Sequence, residues 1–263
     1  MGSSIECFMK INQITKGNCV DLMKKIRAKS VNLVLTDPPY NISGKSKLNL
    51  AKNTTGGPWY KIDENWDVFK DFREYQEFSK EWITAADRVL VDSGSMMICC
   101  SYHGLGEILI SLKELDYKIL NIIIWRKTNP MPNVTKRTLT HSTEYIVWAA
   151  KGKGWTFNYK DMKKYANDKQ LRDVWEFALC QGPERIKNKS GRAAHPTQKP
   201  LELTRRLIEM STKKGDTVLD PFIGSGTTAV AANELKRKWY GIESNSDYVK
   251  IAKTRLQKSD KNV

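Results

Sequence analysis

Short apolar runs alternate along this chain with longer segments whose apolar positions return at helical spacing. The runs at 31–35, 94–100, 117–125, 145–149, 217–219 and 239–243 are rich in aliphatic residues and read as strands buried on both faces. Between them, 74–90 carries Tyr75, Phe78, Trp82, Ile83, Ala86, Val89 and Leu90 close to a helical stripe, and 104–115, 227–235 and about 247–256 have the same character. A further helix begins at Pro200, a residue suited to a first turn, and is marked by Leu201, Leu203, Leu207 and Ile208. Near the start, 11–14 reads as a short strand and 20–27 as a helix. This alternation predicts an α/β fold with a Rossmann-like, doubly wound, mostly parallel sheet.

Two stretches interrupt the pattern. Residues 41–67 form a long polar connection holding Lys45, Lys47, Lys52 and Lys61 around a Gly56-Gly57-Pro58 break, and a connection of that length is usually functional or mobile. Residues 151–192 hold eleven basic and five acidic side chains with Trp155, Phe157, Tyr159, Tyr165, Trp175 and Phe177 interspersed. The expected organisation is one domain in two halves, 9–150 and 195–258, divided by an insertion over 151–194.

Chemistry concentrates at strand ends. The run at 31–35 stops at Thr36-Asp37-Pro38-Pro39-Tyr40, because neither proline can donate a ladder hydrogen bond. It presents a carboxylate, a rigid carbonyl and an aromatic ring where open α/β sheets bind ligands. Asp37 and the Pro38 carbonyl suit the two N–H groups of a nucleobase amine, and Tyr40 offers a ring on which an extruded base can stack. A strand-ending turn in which Asp37 only caps a neighbouring N–H explains the same four residues. The second strand end, Asp220-Pro221-Phe222-Ile223-Gly224-Ser225-Gly226-Thr227-Thr228, has glycines that admit a ligand close to the backbone and leads into a helix N-terminus. Glu243, closing the next strand, is an acid suited to ribose hydroxyls.

Composition changes the picture in one respect. The 263 residues include 44 basic and 29 acidic side chains, a net charge of +15 that favours a polyanionic partner. Five cysteines without C-x-x-C spacing and three histidines suggest neither a metal site nor a disulfide framework. No apolar run reaches membrane-spanning length and no leader is visible, so a cytoplasmic location is the expectation.

Together, Asp37-Pro38-Pro39-Tyr40, Asp220 to Thr228 and His195-Pro196-Thr197-Gln198-Lys199-Pro200 resemble the DNA amino-methyltransferases that use S-adenosylmethionine. The catalytic motif precedes the cofactor motif, the circularly permuted order of the beta group, and the likeness runs from about Asn18 to Leu256. The resemblance implies a class I methyltransferase fold, with Asp37, Pro38, Pro39 and Tyr40 catalytic. It implies that Asp220, Phe222, Gly224, Ser225, Gly226 and Thr227 wrap the methionine end of the cofactor beside Asp37. Thr197 and Lys199 are assigned its carboxylate, Glu243 the ribose, and Asn18 and Cys19 the neighbourhood of its adenine. The 151–194 insertion corresponds to the target-recognition region, and 41–67 is expected to close over the flipped base, with Trp59 and Tyr60 as candidate wedges.

DNA contacts are expected from Lys45, Lys47, Arg126, Lys127, Asn129, Arg137, His141, Arg185, Lys187, Lys189 and Arg192. Lys127 to Asn133 and Thr140 to Glu144 resemble elements of adenine-directed members acting on short sites such as GATC or GANTC, so the expected product is N6-methyladenine. Members of the group often dimerise and accompany a restriction endonuclease, which adds a homodimer and a cognate nuclease to the expectations. Three rivals stand beside this reading: cytosine-N4 methylation, although those enzymes more often carry serine in place of Asp37; a nicotinamide oxidoreductase, permitted by Gly224, Gly226 and Ala229; and a noncatalytic nucleic-acid binder.

Overall fold

The computed structural model describes residues 8–41, 67–133 and 136–259. Expectations for Lys45, Lys47, Trp59, Tyr60 and the closing stretch lie outside the described residues.

Eight strands form one sheet: β1 (Gln13–Lys16), β2 (Val31–Thr36), β3 (Leu90–Cys100), β4 (Lys118–Lys127), β5 (Thr143–Ala150), β6 (Val174–Phe177), β7 (Thr217–Asp220) and β8 (Lys238–Glu243). Their order is β1-β8-β7-β2-β3-β5-β4-β6. Neighbours run parallel except β5, which is antiparallel to both β3 and β4. The helices are α1 (Cys19–Met23), α2 (Phe72–Val89), α3 (Leu105–Glu114), α4 (Tyr159–Met162), α5 (Leu201–Ser211), α6 (Thr227–Glu234) and α7 (Ser246–Ser259). The sheet is therefore α/β and mostly parallel, as the alternation predicts.

Strand side chains alternate between two faces, which is why the central runs are apolar throughout. Leu33 and Leu35 of β2 join Met97 and Cys99 of β3 in a core completed by Leu203, Leu207 and Ile208 of α5. Val34 joins Met96, Ile98 and Cys100 in the opposite core, completed by Trp82, Ile83 and Ala86 of α2. The helical stripe of α2 is thus a sheet-packing face. Asn18 accounts for the start of α1: its side chain accepts from Val20 N at 2.8 Å and Asp21 N at 3.2 Å, an N-cap. The helix is shorter than the 20–27 expectation, since Lys25 N and Ile26 N bond three residues back, to Leu22 and Met23, and tighten into turns.

The strand order reverses between the parallel neighbours β2 and β7. From β2 the chain crosses through α2 to β3 on one side, whereas β7 crosses through α6 to β8 on the other. Leu33 pairs with Val218 and Val34 with Leu219, so the ends of β2 and β7 flank one crevice, where such sheets bind ligands.

Residues 151–194 do not stand apart from the sheet. Their strand β6 pairs with β4 from Ile124↔Val174 to Lys127↔Phe177, and Trp155, Tyr165, Leu171 and Phe177 pack against the main core. Arg206 of α5 anchors this region, its guanidinium carbon lying 4.1 Å from the Tyr165 ring, 4.6 Å from Phe177 and 5.2 Å from Trp175. A cation shielded among three aromatic faces contributes on the order of 2 kcal/mol, so Arg206→Ala should lower unfolding free energy by about that amount in urea titrations; a loss below about 0.5 kcal/mol would contradict this anchor.

Candidate active site

Both prolines after Asp37 end the ladder, and the turn is then held from outside. Asp67 Oδ1 accepts from Tyr40 N at 2.6 Å and Asn41 N at 2.7 Å, while the Tyr75 hydroxyl of α2 donates to the Pro39 carbonyl at 2.9 Å. These contacts fix the backbone of the Asp37 to Tyr40 turn from both sides. Neither Asp67 nor a polar role for Tyr75 follows from the sequence, because each depends on a tertiary approach to a turn.

Asp37 sits in a chain of alternating charges. Its Oδ1 accepts from the Tyr40 hydroxyl at 2.5 Å and its Oδ2 from Lys199 Nζ at 2.6 Å. Lys199 also lies 3.4 Å from Glu144, and Glu144 in turn is 2.8 Å from Lys127. The side chains of Lys127, Glu144 and Lys199 are 13%, 16% and 11% exposed, so water screens these pairs little. Burial pushes the Asp37 carboxyl above its ordinary pKa, against the pull of Lys199 and with the help of Glu144. Glu144 is also penalised by burial, yet its two ammonium neighbours, Lys199 and Lys127, outweigh this and hold its pKa low. Lys199 is disfavoured by burial but raised by Asp37 and Glu144, and stays charged. The Tyr40 ring is 9% exposed, with the Lys199 ammonium 5.1 Å from its centroid.

The second strand end meets the first directly. Thr36 Oγ1 donates to Asp220 Oδ1 at 2.9 Å, and the same carboxylate oxygen accepts from Phe222 N at 3.1 Å. Gly224 has φ +48°, and a Cβ there would stand 2.7 Å from His195 Nε2, so glycine is required for both conformation and space. Glu243 accepts from Gly224 N at 3.0 Å through one oxygen and from Asn245 N at 2.8 Å through the other. Arg255 of α7 donates to Thr227 Oγ1 at 2.7 Å, which ties the glycine turn to the last helix. Burial, then Lys199, Arg185 and Arg255, push His195 down to about 4, so its imidazole is neutral at ordinary pH.

One cavity of about 570 Å³ joins these groups. Its wall includes Asn18, Cys19, Asp37, Pro39, Thr197, Lys199, Asp220, Phe222, Gly224, Ser225, Thr227 and Glu243. Pro38, Tyr40 and Gly226 are not among the described residues that line it. Its size suits a nucleoside-sized ligand. Three carboxylates, Asp37, Asp220 and Glu243, on a wall with the apolar Phe78, Ile223 and Leu207 fit a cationic centre and a hydroxyl-bearing sugar. Among the described residues no group of side chains could hold a metal ion, and Cys19, Cys99, Cys100 and Cys180 are buried free thiols.

The expected DNA contacts divide into two sets. Arg137, His141, Lys187, Lys189 and Arg192 are exposed, and His141 stacks on Tyr102 with ring centroids 5.4 Å apart. Arg126 is exposed but donates to Glu176 at 3.1 Å. The others are engaged inside the protein: Lys127 with Glu144, Asn129 accepting from Leu179 N at 2.6 Å, and Arg185 donating to the Cys180 carbonyl at 2.9 Å and the Pro196 carbonyl at 3.2 Å. Spacing in the sequence reports a cation near the site but not the direction in which it points.

A mostly parallel sheet with an acid-lined cavity at its reversal defines a nucleoside-cofactor enzyme. The chain belongs to the N6/N4 DNA methylase family, whose model, described as DNA methylase, matches residues 31–254. These are S-adenosylmethionine-dependent DNA methyltransferases, and no helix among the described residues is long and apolar enough to cross a membrane. The type II methyltransferase M.HinfI of Haemophilus influenzae is 40% identical over 249 residues, covering 94% of this chain and 68% of its own. M2.LlaDCHI of Lactococcus lactis subsp. cremoris, another type II methyltransferase, is 41% identical over 90% of this chain and 86% of its own. Among solved structures, M1.HpyAVI with S-adenosylmethionine is 31% identical with a TM-score of 0.67, covering 93% of this chain and 98% of that one. The cytosine-N4-specific PvuII methyltransferase, at 19% identity, shares the fold with a TM-score of 0.72 over 97% of this chain and 92% of that one.

Burial raises Asp220 from 3.8 to about 7 against hydrogen bonds that favour its charge. A carboxyl raised on folding keeps its proton better in the native state, so its contribution to stability is lost as pH rises from about 4 through about 7. In Asp220→Asn that loss disappears. The melting-temperature difference between variant and parent should move in the variant's favour between about pH 5 and pH 8, and a difference independent of pH would contradict a protonated Asp220.

Proposed function

We propose that this chain methylates the N6 amine of an adenine swung out of DNA at a short recognition sequence. The observation that carries the reading is the shared cavity wall: Asp37 and Pro39 from one strand end face the same space as Asp220 and Glu243 from two others. Asp37 at the head of the motif, where cytosine-N4 enzymes more often have serine, favours adenine.

The residues that would hold the cofactor are the Asp220 to Thr227 turn with Thr197 at the methionine end, Glu243 at the ribose, and Asn18 and Cys19 towards the adenine. The bound cofactor supplies an electrophilic methyl on a sulfonium sulfur. A nucleobase amine is a weak nucleophile because its lone pair is delocalised into the ring. Asp37 and the Pro38 carbonyl accept its N–H bonds and so favour the pyramidal nitrogen, whose surplus proton leaves after transfer. Most of the rate then comes from orientation. Lys199, within 2.6 Å of Asp37, acts on the catalytic carboxylate in this reading rather than on the cofactor's own. Exposed Lys187, Lys189, Arg192 and Arg137 contact phosphates, and His141 with Tyr102 meets bases. Residues 151–194 serve as the target-recognition region, with 9–150 and 195–258 as the two halves of the methyltransferase domain. A homodimer, a cognate endonuclease and a cytoplasmic location follow from the resemblance alone.

Expression in a host lacking DNA methylases, followed by nucleoside mass analysis, should yield N6-methyladenine confined to one short sequence. N4-methylcytosine instead would overturn the choice of base. Asp37→Ala should reduce methyl transfer by about a hundred- to a thousandfold, the scale of removing a key polar group from a reacting centre, a far larger loss than in calorimetric affinity for S-adenosylmethionine. Substantial turnover by that variant would contradict the assignment.

A further inference from the structure

Both groups that hydrogen-bond Asp37 have a second acceptor within reach. The Tyr40 hydroxyl is 2.5 Å from Asp37 Oδ1 and 3.3 Å from Glu144 Oε2. Lys199 Nζ is 2.6 Å from Asp37 Oδ2 and 3.4 Å from the same Glu144 oxygen. One carboxylate oxygen on β5 therefore faces both donors that occupy the catalytic acid. Its other oxygen is held at 2.8 Å by Lys127, at the end of β4, so the Glu144 side chain is fixed whichever way the donors turn.

We propose that Glu144 is a positioning residue that receives Tyr40 and Lys199 when the target amine reaches Asp37. The inference rests on the reading of Asp37 as the acceptor for that amine. With both oxygens engaged by strong donors, one of them charged, Asp37 is a poorer acceptor for an incoming N–H. A shift of less than about 1 Å by each donor exchanges one carboxylate for the other, and an N–H group of the amine replaces the donors that Asp37 loses. One N–H of the amine then takes a position that these donors give up, and the other is left for the Pro38 carbonyl. No bond is made or broken in this rearrangement. Lys127 gains a role as well, because it neutralises Glu144 and so keeps that carboxylate from competing for Lys199 before the base arrives.

Among the described residues, the groups that face Asp37 are Lys199 before α5, Tyr40 on its own turn, Glu144 of β5, Cys99 and Cys100 of β3 and Asp220 of β7. Among them Glu144 raises the Asp37 pKa and Lys199 lowers it. Removing the Glu144 charge has two separate consequences. The donors lose their alternative and stay on Asp37, and the carboxyl of Asp37 ionises more easily.

The test measures single-turnover methyl transfer from S-adenosylmethionine carrying a radioactive methyl group to genomic DNA from a methylase-free host, across pH, for the parent, Glu144→Gln, Lys127→Met and Asp37→Asn. Glu144→Gln should slow transfer at least tenfold with unchanged cofactor affinity, and should move the acid limb of the rate profile to lower pH. Lys127→Met, which leaves Glu144 to draw Lys199 away from Asp37, should move that limb to higher pH. Opposite displacements are not expected of a merely structural role, and Lys127→Met retains the test if Glu144→Gln fails to fold. A Glu144→Gln enzyme as fast as the parent, or slowing in both variants without displacement of the limb, overturns the proposal. Should Asp37→Asn remain active, the reading of Asp37 falls; should it be inactive while Glu144→Gln matches the parent, only the role of Glu144 falls.

Discussion

The site depends on the parallel pairing of β2 with β7. Thr36 and Asp220 are 184 residues apart in sequence, yet one hydrogen bond of 2.9 Å joins the strand that carries Asp37 to the strand that opens into the glycine turn. Parallel strands present their carboxyl ends on one side, and the crossovers leave in opposite directions, so a crevice is left between them. The cavity follows from that topology. Asp220, buried and hydrogen-bonded across the seam, sets the end of β7 against the end of β2, and Asn32 ties the start of β7 to β2 by accepting from Thr217 N at 2.9 Å.

Electrostatics divides the molecule into two regimes. The chain as a whole carries +15, a field that gathers a polyanion. The cavity is lined instead by Asp37, Asp220 and Glu243, with Lys199 as the cation on its wall. In the proposed function this division places a cationic cofactor in the interior and the phosphates of the nucleic acid at the rim. The buried sequence Lys127, Glu144, Lys199, Asp37 joins the regimes: it starts beside the loop that follows β4 and ends at the cavity wall.

Most of the central sheet is legible in the sequence because strands covered on both faces must be apolar at every position, as 31–35 and 94–100 nearly are. The edge is not. β6 has four residues, Val-Trp-Glu-Phe, half-exposed and surrounded by charge, and so short an alternation is common in loops; the pattern over 151–194 therefore does not reveal that these four residues extend the sheet. The motifs locate the cavity because their glycines, prolines and acids have few other uses at strand ends. They do not specify partners. The place of Lys199 in its motif points to the cofactor's carboxylate, whereas its contacts are Asp37 and Glu144, and Glu144 itself gives no signal beyond one acid before an apolar run. Lys127, Asn129 and Arg185 show the same limit: composition marks a basic region, but tertiary packing decides which side chains turn inwards.

The most direct test is a crystal structure of the chain with a nonreactive S-adenosylmethionine analogue and duplex DNA containing its methylation site. The account predicts one adenine outside the helix, its amine within hydrogen-bond distance of Asp37 and about 3–3.5 Å from the atom that stands for the transferred methyl, with the glycine turn of β7 around the analogue. An adenine still stacked in the duplex, or an analogue bound away from the crevice between β2 and β7, would contradict it.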